Sequence, residues 1–232
     1  MEPASGRTET GLTAVLCDGM GGHNAGEVAS KLAATIFLEY AAPPKASPAA
    51  TSDAGLVDAC IQANRAIGDR IAGNPSLDGM GTTLLGIRVS RSGLTWVSVG
   101  DSALYLYRDG ELMQLNADHS MRPIIAQMVT KGMMTAEEAA NHPDRNALRS
   151  ALSGDPLSLI DDGTMPMNLK KGDVILTASD GIETLSALSL RRFLKPRFFW
   201  RPARAARLIV SACLKAGGKT QDNTTIILMK IG

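Results

Sequence analysis

The chain has 232 residues, 44% of them hydrophobic and 20% charged, with 24 Lys plus Arg against 23 Asp plus Glu. That length and composition suit a single folded domain with a sizeable core and exclude a disordered or collagen-like chain. A net charge of +1 and an aromatic content of 4% argue against nucleic acid or an acidic membrane as a partner. Cys17, Cys60 and Cys213 are odd in number and far apart, with no C-x-x-C pair. They point away from a zinc ribbon or disulfide framework and toward a reduced, cytoplasmic setting. Residues 1–10 are polar, and no apolar run is long enough to insert across a bilayer.

Residues 13–17 (TAVLC) form a short apolar run, expected to be a buried strand, that enters Asp18-Gly19-Met20-Gly21-Gly22-His23. Glycine at this density marks a tight loop where backbone comes close to something. Residues 25–40 have helical periodicity through Val28, Leu32 and Ile36, and 56–71 repeat it through Leu56, Cys60, Ala63 and Ile67. The Pro/Ala/Ser-rich stretch 41–53 between them reads as a loop. The period then changes. Residues 82–89, 94–99, 103–108 and 112–115 are short β-type runs, with Asp109-Gly110 a hairpin turn. Helix is expected over 123–132, and Thr135 with Glu138 forms a capping-box pattern that opens a second one. A strand is expected around 165–169, another at 174–178, helices near 186–194 and 203–215, and a last strand over 224–231. Strands and helices come in blocks, which favours an α+β fold of antiparallel sheets covered by helices over a doubly wound parallel sheet.

The chemistry lies in the aspartates. Asp18, Asp101 and Asp180 each follow an apolar strand and enter a tight loop, and Asp222 precedes the last strand. Four carboxylates at strand tips, with no His or Cys among them, suit a hard cation such as Mg²⁺ or Mn²⁺. Asp-Gly also makes ordinary turns, and Asp109-Gly110 is read that way.

The blocks DGMGGH (18–23), GEVAS (26–30), MGTT (80–83), VGDS (99–102), DHS (118–120), TASDGI (177–182) and DNTT (222–225) run in order across the chain. Together they resemble the metal-dependent protein Ser/Thr phosphatases of the PPM type, in their compact bacterial form. The resemblance implies a sandwich of two antiparallel β-sheets flanked by helices. It implies Asp18 as the carboxylate bridging two Mn²⁺ or Mg²⁺ ions, with the Gly19 carbonyl, Asp180 and Asp222 as further ligands. Asp101 would share a third, weaker ion with Asp180. Phosphoserine or phosphothreonine in a protein would be hydrolysed by a metal-activated water, with no covalent intermediate. His23 is either a proton donor near the metals or a loop histidine that only packs. A cognate Ser/Thr kinase is a partner at family level. Residues 1–232 are expected to form one domain, with 121–160 a flap beside the site.

Two positions depart from the family pattern. The family's first strand carries a phosphate-gripping arginine, whereas only residues 1–17 precede Asp18 here, and Arg7 lies close to it. The domain is thus expected to be N-terminally short, to lack that strand and its arginine and to leave a sheet edge open; Arg7 or Arg149 would supply the contact only if phosphate binding proved undiminished. Ala103 also stands where Arg normally follows GDS. These departures leave an alternative in play: a degenerate phosphatase that binds phosphoprotein with little turnover. Asp118 and His119 are read as fixing their loop, and His142 as solvated. Gly217-Gly218-Lys219-Thr220 lacks the earlier glycine and preceding strand of a nucleotide loop. Residues 191–207 carry seven basic residues and four of the nine aromatics. They are read as arginines snorkelling over packed rings, with docking of an acidic partner the other option.

Overall fold

The computed structural model describes residues 4–8, 11–21, 25–42, 54–90, 93–165, 169–195 and 201–232. Two antiparallel sheets form its centre. The first contains β1 (Ala4–Thr8), β2 (Gly11–Leu16), β5 (Leu84–Ser90), β6 (Gly93–Val99) and β9 (Asp161–Met165), in the order β1-β2-β5-β6-β9. The second contains β7 (Ala103–Arg108), β8 (Glu111–Gln114), β10 (Val174–Ala178) and β11 (Ile226–Lys230), in the order β11-β10-β7-β8. A two-residue ladder, β3 (Gly19–Met20) with β4 (Gly81–Thr82), extends past the first sheet. Helices α1 (Ala25–Ala41) and α2 (Ala54–Ala72) cover that sheet, and α5 (Ala187–Leu194) and α6 (Pro202–Gly217) cover the second.

Strand side chains alternate between two apolar layers, as the period of two requires. Ala14, Leu85, Ile87, Leu104, Leu106 and Ile175 pack between the sheets. Val15, Leu84 and Val97 instead meet Phe37, Leu56 and Ile67 of the first helix layer. Val174 and Leu176 meet Leu190, Ile209 and Cys213 of the second. Every residue of β10 is buried, which explains its unbroken apolar sequence. α3 (Arg122–Thr130) and α4 (Ala136–Ala140) lie in the segment after β8, and Thr135 makes both capping-box hydrogen bonds with Glu138. The three cysteines are free thiols. No helix among the described residues is long and apolar enough to cross a membrane.

Two expectations need correction. The edge of β2, expected to be open, is covered: β1 pairs antiparallel with β2 from Ala4 opposite Val15 to Thr8 opposite Gly11. The strand expected at 165–169 lies earlier, at Asp161–Met165, paired with β6. Both sequences, ASGRT and DDGTM, are polar, so backbone pairing and not apolar alternation makes them strands. Residues 217–220, the imitation nucleotide loop, are the end of α6 and a short 3-10 turn.

Candidate metal centre

Strand register gathers the aspartates. Leu16 pairs with Leu85, and Leu84 pairs with Val99, so β2 and β6 finish at one end of the first sheet. Ala178 pairs with both Ala103 and Ile226, so β10 finishes where β7 and β11 begin. The short link from β6 to β7 through Asp101 ties those two ends together. Asp18, Asp101, Asp180 and Asp222 therefore share one end of the sandwich.

The loops carrying them are wired to the scaffold. The Asp18 backbone N–H donates to the Thr83 hydroxyl (3.0 Å), and the Asp18 carbonyl accepts from the Thr83 N–H (2.9 Å) and the Thr82 hydroxyl (2.9 Å). Thr83 Oγ1 is in turn 2.9 Å from Ser102 Oγ, beside Asp101. A Cβ on Gly19 would lie 2.0 Å from the Gly26 carbonyl oxygen, so the loop and α1 touch backbone to backbone. Similarly, a Cβ on Gly181 would meet the Asn223 carbonyl at 2.5 Å. Ser179 fastens the same two segments: its N–H donates to the Thr225 carbonyl (3.0 Å), and its hydroxyl accepts from the Thr225 N–H (3.0 Å).

The carboxylates act on one another electrostatically. Burial, then Asp180, Asp222 and Asp101 in turn, push the Asp18 carboxyl up from 3.8 to about 7. Burial and Asp180 raise Asp101 to about 6 against the pull of Arg122. Asp180 is raised by burial and by Asp222. Its Oδ1 is buried with no hydrogen-bond partner among the described residues. Asp222 is exposed, and its Oδ1 accepts from the Asn223 N–H at 2.7 Å. Among the described residues no three acidic, His or Cys side chains stand within the short distances of a complete metal shell. Asp18, Asp101, Asp180 and Asp222 therefore form a cluster within electrostatic range, oxygen-only and suited in donor type to a hard divalent ion. His23 lies outside the described residues.

The other singled-out residues divide clearly. Asp118 holds its loop through the Ser120 N–H (2.7 Å), and His119 Nδ1 accepts from the buried Gly100 N–H (3.3 Å). Arg149 donates to the carbonyls of Ser120 (3.0 Å) and Asp118 (3.4 Å). Arg7 stands opposite Leu12, six residues before Asp18. His142 is half-buried, and its Nδ1 accepts from the Asp144 N–H at 3.2 Å. Sequence inspection missed Arg122, which pairs with Asp101, Asp118 and Glu183. Its i,i+4 spacing from Asp118 was readable; its approach to Asp101 and Glu183 was not.

Residues 4–216 match the model of a family described as Protein phosphatase 2C. The chain belongs to this family. The serine/threonine protein phosphatase PstP of Mycobacterium tuberculosis is 35% identical over 218 residues, 93% of this chain and 40% of PstP. The chain thus spans about two fifths of the length of that relative. The crystal structure of the PstP catalytic domain in complex with two manganese ions matches with a TM-score of 0.74 at 31% identity, covering 97% of this chain and 89% of that one. The serine/threonine phosphatase Stp1 of Staphylococcus aureus matches with a TM-score of 0.82 at 27% identity, covering 99% and 89%.

Proposed function

We propose that this chain hydrolyses phosphoserine and phosphothreonine in proteins, in a divalent-metal-dependent reaction without a covalent intermediate. The observation that carries this reading is the set of four strand-end aspartates at one end of both sheets, where burial and neighbouring carboxylates raise the proton affinity of Asp18, Asp101 and Asp180 and a buried Asp180 oxygen is left unpartnered. That donor set fits Mn²⁺ or Mg²⁺: oxygen-only, mutually repelling and relieved by a cation. Asp18 is assigned as the bridging ligand, with the Gly19 carbonyl, Asp180 and Asp222 completing the two principal sites, and Asp101 with Asp180 serving a weaker third. When bound, the ions would activate water at neutral pH and draw charge from the phosphoryl oxygens.

The chain's own part is placement. Thr82 and Thr83 hold the Asp18 backbone, Ser179 locks the Asp180 loop to the Asp222 loop, and the Gly19–Gly26 contact fixes the approach of α1. His23 remains assigned as a proton donor. The segment 121–160 is assigned as the flap within a single domain that sorts substrates. The free thiols are in keeping with a cytoplasmic setting, where a Ser/Thr kinase would supply the phosphoprotein.

The test is hydrolysis of p-nitrophenyl phosphate and a phosphothreonine peptide with Mn²⁺ and with EDTA. Activity should require the metal. Asp180→Asn and Asp222→Asn should each lose several orders of magnitude in kcat while keeping their fold. Near-normal turnover in either variant would remove the metal assignment.

A further inference from the structure

Arg122 opens α3, and its side chain is 14% exposed. Its guanidinium joins three carboxylates from separate parts of the chain. Nη2 donates to Asp101 Oδ2 at 3.1 Å, Nε to Asp118 Oδ2 at 3.1 Å, and Nη1 to Glu183. Nε also meets Ser120 Oγ at 2.9 Å. Asp101 lies on the link between the sheets, and Glu183 shares the 3-10 turn Asp180–Thr184 with Asp180. A fixed cation thus already sits on the carboxylate assigned to the weaker divalent ion.

We propose that Arg122 is a built-in counter-cation that competes with a divalent ion for Asp101, so that loading this ion requires α3 to loosen its grip. The inference rests on the metal reading above. The Asp101 oxygen that accepts from Nη2 has fewer lone-pair directions left for a metal, and guanidinium and ion repel each other across one carboxylate. Arg122 stands at the first turn of α3, with Asp118 and Ser120 anchoring it from the preceding loop. Releasing Asp101 therefore alters what holds the start of the helix. By linkage, whatever shifts α3 changes metal affinity at Asp101, and the metal shifts α3 in return by the same factor.

The experiment is calorimetric titration of Mn²⁺ into the unaltered protein, Arg122→Met, Arg122→Lys and the Arg122→Met/Asp101→Ala double variant. The two principal sites should be unchanged. The weaker site should tighten by roughly tenfold in Arg122→Met, the scale of one charge-assisted hydrogen bond, and by less in Arg122→Lys. It should vanish in the double variant. In parallel, the Arg122 Nε–H resonance of the unaltered protein should move during a Mg²⁺ titration, with the midpoint of the weaker site. That arm decides the matter if Arg122→Met does not fold. Unchanged or weaker binding at the weaker site in folded Arg122→Met, no third binding event in any protein, or an Arg122 resonance indifferent to Mg²⁺ overturns the proposal and leaves the two-metal reading standing. Absence of tight Mn²⁺ binding in the unaltered protein overturns both.

Discussion

Asp18→Asn is expected to stabilise the metal-free protein while abolishing its activity. In the folded chain burial and three neighbouring carboxylates raise the Asp18 carboxyl from 3.8 to about 7. A raised folded value means that the contribution to stability is complete below about pH 4 and is lost as pH rises through about 7. At about 1.4 kcal/mol per pKa unit, the ionised group costs about 4 kcal/mol at pH 8 as a ceiling, or about 2 kcal/mol after solvent screening. Asparagine keeps the shape and carries no charge, so the variant escapes that cost at every pH. Urea unfolding in EDTA should show Asp18→Asn more stable than the unaltered protein by about 2–4 kcal/mol at pH 8, or about 5–15 °C in Tm. At pH 5 the gain should fall to about two fifths of that, because the folded carboxyl is then protonated while the unfolded one is still largely ionised, and it should disappear only below about pH 4. Saturating Mn²⁺ should reverse the order at pH 8 if Asp18 is the proposed ligand, since an ion held by the folded state alone stabilises it and needs the carboxylate. A stability change of the same size at both pH values, or destabilisation at pH 8, would refute the reasoning.

Arg108 and Asp173 form a buried bidentate pair at 2.9 and 2.5 Å, and Arg108→Ala should cost about 3–5 kcal/mol in urea unfolding by leaving the carboxylate unpaired. Burial pushes the Asp173 carboxyl up, but the hydrogen bonds from Arg108 and the Lys170 N–H outweigh it, and the net shift is downward. Its stabilising effect is therefore present above the unfolded value of 3.8 and is lost as pH falls through the lower folded value, so Asp173→Asn should cost most near neutrality and least in strong acid. Gly19→Ala places a Cβ 2.0 Å from the Gly26 carbonyl oxygen, which neither backbone can yield without separating α1 from the loop. Thermal melts with and without Mn²⁺ should show a lowered Tm and a reduced metal-induced rise.

Much of the fold was legible because its signals are local. The helical spacing over α1 and α2, the Asp109-Gly110 hairpin and the Thr135–Glu138 capping box each depend on residues a few positions apart, and all are present. β10 was legible because every position is buried. β1 and β9 were not, since their polar sequences hold strand geometry only through ladders to β2 and β6.

The site divides along the same line. The sequence by itself determined which residues carry the charge: a short apolar run ending in Asp and a tight loop marks the tip of a strand, wherever that strand lies in the sandwich. Tertiary structure alone decided that the four tips share one end of the sandwich, because antiparallel register sets which strand ends are neighbours. It also decided that Arg122 reaches Asp101 across 21 positions and Glu183 across 61. Long-range ion pairs leave no periodic trace along a chain; they exist only once sheets and helices have fixed the distances over which charges act.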